Sequence, residues 1–96
     1  MFKIPTKLRV FGHTYSVTIG ELDGEGANIY GICLHREKKI ILSNKNTYSQ
    51  NEATLLHEVI HVISDSFAAG LEEKQVQAIA SGLYSVLKDN EKLLKT

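Results

Sequence analysis

Leu55-Leu56-His57-Glu58-Val59-Ile60-His61 lies at the centre of a longer apolar run, Gln50 to Phe67, and its reading decides how the rest of the chain is organised. Residues four apart on a helix sit one turn apart on one face, so the imidazoles of His57 and His61 can converge on a single metal ion. Glu58, beside the first histidine, then projects next to that ion, where it can take a proton from a polarised water. The apolar spacing predicts a helix from about Gln50 to Phe67, with Leu56, Val59, Ile60, Ile63 and Phe67 as its core stripe. Ser49-Gln50-Asn51-Glu52 matches a capping box, in which serine and glutamate satisfy the amides left unbonded at a helix start. Gly70 is a stop signal. A second helix is expected from about Leu71 to Lys88, burying Val76, Ile79, Ala80, Leu83 and Leu87.

Upstream, the pattern changes to alternation. Lys7 to Phe11 and Thr14 to Ile19 alternate polar and apolar residues around Gly12-His13, a two-residue hairpin signal. Gly20 to Gly26, rich in glycine and acids, reads as a loop. Asn28 to Leu34 and Lys39 to Ser43 form a second strand pair joined by His35-Arg36-Glu37-Lys38. Strands followed by two helices give an α+β class: a small antiparallel or mixed sheet, then the helices, in one domain spanning residues 1–96.

Composition narrows the function. Eleven basic residues balance eleven acidic ones, so nothing marks the chain for nucleic acid, and no polybasic cluster suits a membrane surface. The N-terminus lacks the apolar run of a signal peptide and no segment is long enough to span a bilayer. Cys33 is the single cysteine, so no intramolecular disulfide forms, and Ile32 and Leu34 beside it favour a half-buried strand thiol over a metal ligand or redox switch. A cytoplasmic protein is the expectation.

Two histidines are half of a tetrahedral zinc site. A catalytic site takes a third protein ligand and leaves the fourth position to water. Glu72 and Glu73 open the second helix just after the expected reversal at Gly70, so either carboxylate can return to the first helix. Glu73, Gln77, Ala80 and Tyr84 share one stripe of that helix, whereas Glu72 shares the phase of Val76 and Ile79. The competing reading makes both histidines surface residues and the glutamates simple partners of a helix N-terminus. A His-Glu-x-x-His face in so apolar a helix argues for a metal, since each imidazole there needs a partner.

At this point the chain resembles the gluzincin-type metallopeptidases, and most closely the small phage and prophage-borne zinc peptidases related to the ImmA/IrrE group. The resemblance covers nearly the whole chain: Tyr30-Gly31 and Ile40-Ile41-Leu42 in the sheet, Leu55 to His61, Glu73 to Ala80, Gly82-Leu83-Tyr84 and Leu87 to Asn90. It implies a zincin-like fold, Zn2+ as cofactor, and a glutamate seven residues before a small alanine as third ligand. Glu73 and Ala80 have that spacing, so the ligand role falls to Glu73, with Glu72 as the alternative. Larger members carry a second subdomain that walls the cleft and supplies a histidine or tyrosine to the oxyanion. Here the chain ends soon after its second helix, and the oxyanion role would fall to Tyr84, or else to Tyr48, His13 or His35.

The implied activity is hydrolysis of a peptide or protein substrate, with Glu58 as general base and the zinc held by His57, His61 and Glu73. The substrate strand would add to the edge strand Asn28 to Leu34, where Gly31 permits close backbone approach. Asp65 and Gln77 are candidates to orient the histidines. Two other functions stay open: a zinc-bearing module that engages a protein partner without cutting it, and an enzyme whose cleft is completed by a partner or a second copy.

Overall fold

The computed structural model describes residues 2–22 and 29–94. Four strands precede two helices: β1 (Lys7–Val10), β2 (His13–Gly20), β3 (Gly31–Leu34), β4 (Lys39–Ser43), α1 (Tyr48–Ser66) and α2 (Glu73–Asp89), with a closing 3₁₀ turn at Glu91–Leu94. This is the expected α+β arrangement. The expected loop from Gly20 to Gly26 lies beyond Leu22 outside the described residues, as does Asn28. Among the described residues no helix is long and apolar enough to cross a membrane.

The sheet is mixed, in the order β1-β2-β4-β3. β1 pairs with β2 and β3 with β4 antiparallel, while β2 and β4 run parallel. The first hairpin turns one residue earlier than expected. Val10 pairs with His13, leaving Phe11 and Gly12 as the turn, both at positive φ (50° and 82°). That is the requirement of the type I′ turn, whose twist matches the flanking strands. Phe11 tolerates the left-handed region while its ring packs on Phe67 at a centroid distance of 4.7 Å.

Alternation sends one side of each strand towards α1. Tyr15 and Val17 from β2 and Ile40 and Leu42 from β4 join Leu55 and Val62 of α1 in the main core. On its other side α1 meets α2, where Ile60 packs with Val76 and Ala80, and Leu71 seals the end. α1 is therefore a middle layer, and its buried positions are split between two faces. The single stripe expected from periodicity is corrected accordingly: Leu56 and Val59 are half-buried, and Ile63 and Phe67 are exposed. Among the described residues α2 packs mainly on α1, so Val76 and Ala80 are buried while Ile79 and Leu83 are exposed.

The α1 cap also differs. Thr47, not Ser49, is the N-cap: its hydroxyl accepts from the Gln50 amide, and Gln50 Oε1 accepts from the Thr47 amide. Glu52 is thereby released from capping. It is 1% exposed and accepts hydrogen bonds from the Phe2 amide (2.9 Å) and the Tyr84 hydroxyl (3.1 Å), joining the N-terminal segment, α1 and α2. Burial alone would raise this carboxyl, but the hydrogen bonds it accepts outweigh that and hold it below the ordinary value.

β3 is drawn close to α1 because residue 31 has no side chain. A Cβ there would stand 2.6 Å from the Thr54 methyl and 3.1 Å from the Ile41 carbonyl oxygen. Gly31→Ala should lower stability by about 1–3 kcal/mol in chemical denaturation. Thr54→Ser, which removes that methyl, should recover part of the loss.

Glu52 sets an acid limit. A carboxyl depressed in the folded state contributes stability above its unfolded pKa and loses it as pH falls through the folded value. The melting temperature of Glu52→Gln should lie below that of wild type at neutral pH, and the gap should close as the pH is taken below about 4. A gap unchanged across that range would refute the role of the charge.

Candidate metal centre

His57 and His61 project from α1 one turn apart, their ring centroids 4.9 Å apart and the rings inclined at 63°. Both turn towards α2. The short connection between the helices is fixed by Ser64, whose hydroxyl accepts from the Leu71 amide and whose carbonyl accepts from the Ala69 amide. Ala68 and Gly70, both at positive φ, complete the reversal. The chain then enters α2 with Glu72 as the extended N-cap residue, its amide bonded to Gln75 Oε1, and Glu73 as the first helical residue.

That one-residue difference decides which carboxylate faces the histidines. Oε1 of Glu73 lies 2.7 Å from Nε2 of His57, and Oε2 lies 2.7 Å from Nε2 of His61. Three side chains from two helices thus converge through one carboxylate. Glu58 is part of the same cluster: atoms of His57, Glu58 and His61 that can bind a metal lie within 4.8 Å of one another. The donors are two imidazole nitrogens and carboxylate oxygen, a set that suits Zn2+. Metal–ligand distances of about 2.0–2.1 Å imply ligand atoms about 3.3 Å apart around a tetrahedral ion. The contacts of 2.7 Å are shorter. An ion fits if Glu73 withdraws by about half an ångström, and its side chain, 68% exposed, can do so.

Glu58 is 6% exposed, and burial pushes its carboxyl up to about 7, with His61 pulling it down and Glu73 pushing it up. It opens on a cleft of about 570 Å³ bounded by Tyr30 to Ile32, by Thr54 and His57 of α1, and by Gln77 and Ser81 of α2. Among the described residues β3 ends the sheet on this side, so its outer edge pairs with no further described strand and borders the cleft.

The other expected site residues are dispersed. Tyr84, expected at the oxyanion, donates its hydroxyl to Glu52 and does not line the cleft, because Glu52 is turned inwards instead of capping α1. Tyr48 donates to the Phe2 carbonyl at 2.7 Å, and His13 starts β2 on the exposed hairpin. Only His35, of the four oxyanion candidates, borders a hollow shared with His57, Glu58, His61 and Glu73. Asp65 faces His35 rather than His61, and Gln77 donates to Ser81 at 2.9 Å. Cys33 also approaches His35, the first residue of the turn after β3, an arrangement whose one signal in the sequence is their i, i+2 spacing.

Comparison with models of known families, with curated proteins and with solved structures returns no match.

Glu73→Ala should weaken zinc binding by more than about tenfold, and Glu72→Ala should leave it unchanged, in a competition titration with a chromogenic chelator. The reverse order would move the third ligand to Glu72. Because ion binding to the folded state adds to stability, a strong chelator should also lower the melting temperature of zinc-loaded protein.

Proposed function

We propose that this protein is a zinc-dependent peptidase of the gluzincin type, acting on a peptide or protein substrate in the cytoplasm. The observation that carries this reading is the meeting of both histidine Nε2 atoms with the two oxygens of Glu73, each at 2.7 Å. His57, His61 and Glu73 would hold the ion. Bound there, zinc supplies a Lewis acid that polarises a water and the scissile carbonyl.

The chain's own residues do the rest. Glu58, clustered with both histidines and open to the cleft, is placed to accept a proton from a water there. The water oxygen bonds to the carbonyl carbon as Glu58 takes the water's proton. The carbon–nitrogen bond then breaks, and Glu58 passes the proton to the departing amine. The outer edge of β3 offers backbone groups to an extended peptide, which would lie beside His57 and across the mouth of the cleft. Tyr84, committed to Glu52, is given no step.

A second reading takes its support from that commitment. With the Tyr84 hydroxyl bonded elsewhere, the same scaffold would serve as a zinc-bearing module that grips a protein segment along β3 without cutting it.

Glu58→Gln should bind as much zinc as wild type and lose about 10²–10⁴-fold in kcat/KM on a peptide-library substrate. Equal turnover by wild type and variant would sink the base assignment. A fully zinc-loaded wild type that cleaves nothing in the library would favour the binding module.

A further inference from the structure

Outside the His57–Glu73 cluster, a second group of metal-binding side chains comes together at the far end of β3. Cys33 shares the face that Gly31 presents to α1, because side chains alternate along a strand, and His35, first residue of the turn after β3, folds back beside it. Asp65 meets them from the last turn of α1. Sγ of Cys33 lies 3.6 Å from Nδ1 of His35, and the same nitrogen lies 3.9 Å from Oδ2 of Asp65.

A hydrogen-bonding account leaves this grouping half explained. One ring nitrogen either donates to the carboxylate or accepts from the thiol, and cannot do both. The carboxylate, at 3.9 Å, is also beyond hydrogen-bond reach. A cation bound by the sulfur and the nitrogen accounts for the first approach, and Asp65 is the carboxylate nearest that nitrogen. With Zn–S about 2.3 Å and Zn–N about 2.0–2.1 Å, sulfur and nitrogen on one tetrahedral ion stand about 3.6 Å apart. The nitrogen–oxygen edge of such an ion is about 3.3–3.4 Å, so the Asp65 carboxylate has to swing in towards both the nitrogen and the sulfur. The Asp65 side chain is 58% exposed and can make that movement.

We propose that Cys33, His35 and Asp65 form a second site for a thiophilic divalent cation such as Zn2+, distinct from the ion held by His57, His61 and Glu73. The donor set of one sulfur, one nitrogen and one oxygen suits zinc, cadmium or cobalt and disfavours magnesium or calcium. Hollows on both sides of His35, one shared with His57 and Glu58 and one with Ser64 and Asp65, leave room for water as the remaining ligand. Without a cation, burial, followed by the charges of Glu58 and Asp65, pushes the Cys33 thiol up to about 12, with a partial offset from Lys38. At neutral pH the sulfur is therefore protonated. As the metal–sulfur bond forms, the S–H bond breaks heterolytically and the proton leaves to solvent.

The test follows from Cys33 being the single cysteine, so any thiolate-to-metal absorption reports on it alone. Wild-type protein, kept reduced at neutral pH, is titrated with Co2+. One bound equivalent should develop a near-ultraviolet thiolate-to-cobalt charge-transfer band. His35→Ala and Asp65→Asn should each weaken that equivalent by about tenfold or more, at least the cost of losing an outer-shell partner. His57→Ala should leave the band in place, whether or not the first centre binds metal. Cys33→Ser, if it folds, should abolish the band; if it does not, the His35 and Asp65 variants carry the test, since both residues lie nearer the surface. Saturation without a charge-transfer band overturns the site. So does a band that vanishes in His57→Ala and survives in His35→Ala, which would put the sulfur on the first centre's ion.

Discussion

α1 is covered from two directions, and the rest of the molecule depends on this. The sheet takes Leu55 and Val62 on one side and α2 takes Ile60 on another. A helix enclosed in this way carries its polar residues into dry surroundings, where each needs a partner. Glu52 is met by the Phe2 amide and the Tyr84 hydroxyl, and Ser64 by the Leu71 amide. His57 and His61 share Glu73. Glu58 lies at the seam between the layers and opens on the hollows around the imidazoles, which is why burial lifts its carboxyl without sealing it in.

The reversal between the helices then converts local backbone chemistry into site geometry. Ser64 anchors Ala69 through its carbonyl and Leu71 through its hydroxyl, so the path of the reversal is tied to a residue of α1 itself. Glu72 is left extended as the cap of α2, and Glu73 enters the helix pointing back at the histidines. A carboxylate at a helix start is also favoured by the helix dipole, so Glu73 is stabilised there with or without an ion.

Much of this was legible in the sequence, and the failures have physical causes. His57, Glu58 and His61 were fixed by helical spacing alone, and the strand and helix order by a change in apolar period. The cap was ambiguous because Thr47-x-x-Gln50 and Ser49-x-x-Glu52 both satisfy one pattern. What separates them is tertiary: Phe2 and Tyr84 claim Glu52, and no local rule contains that. The same claim removes Tyr84 from the cleft. The hairpin slipped by one residue because Phe11 occupies positive φ, a cost that its packing on Phe67 offsets and that propensity cannot see. Periodicity found an apolar side of α1 but assumed one covering layer where there are two.

Gly31 connects these features. β3 can approach α1 only because no Cβ stands between it and Thr54. From that contact the strand runs along α1 past Thr54, Glu58, His61 and Asp65, residues spaced at i, i+4, i+7 and i+11 and therefore on one face. The strand's alternation places Gly31 and Cys33 opposite them, and His35 follows in the turn at the strand's end. Widening the gap at residue 31 would move the strand edge away from His57 and His35 away from Asp65 together. The edge beside the cleft and the Cys33–His35–Asp65 grouping are thus two consequences of one close approach, and a sequence in which position 31 carried a side chain would have to rebuild both.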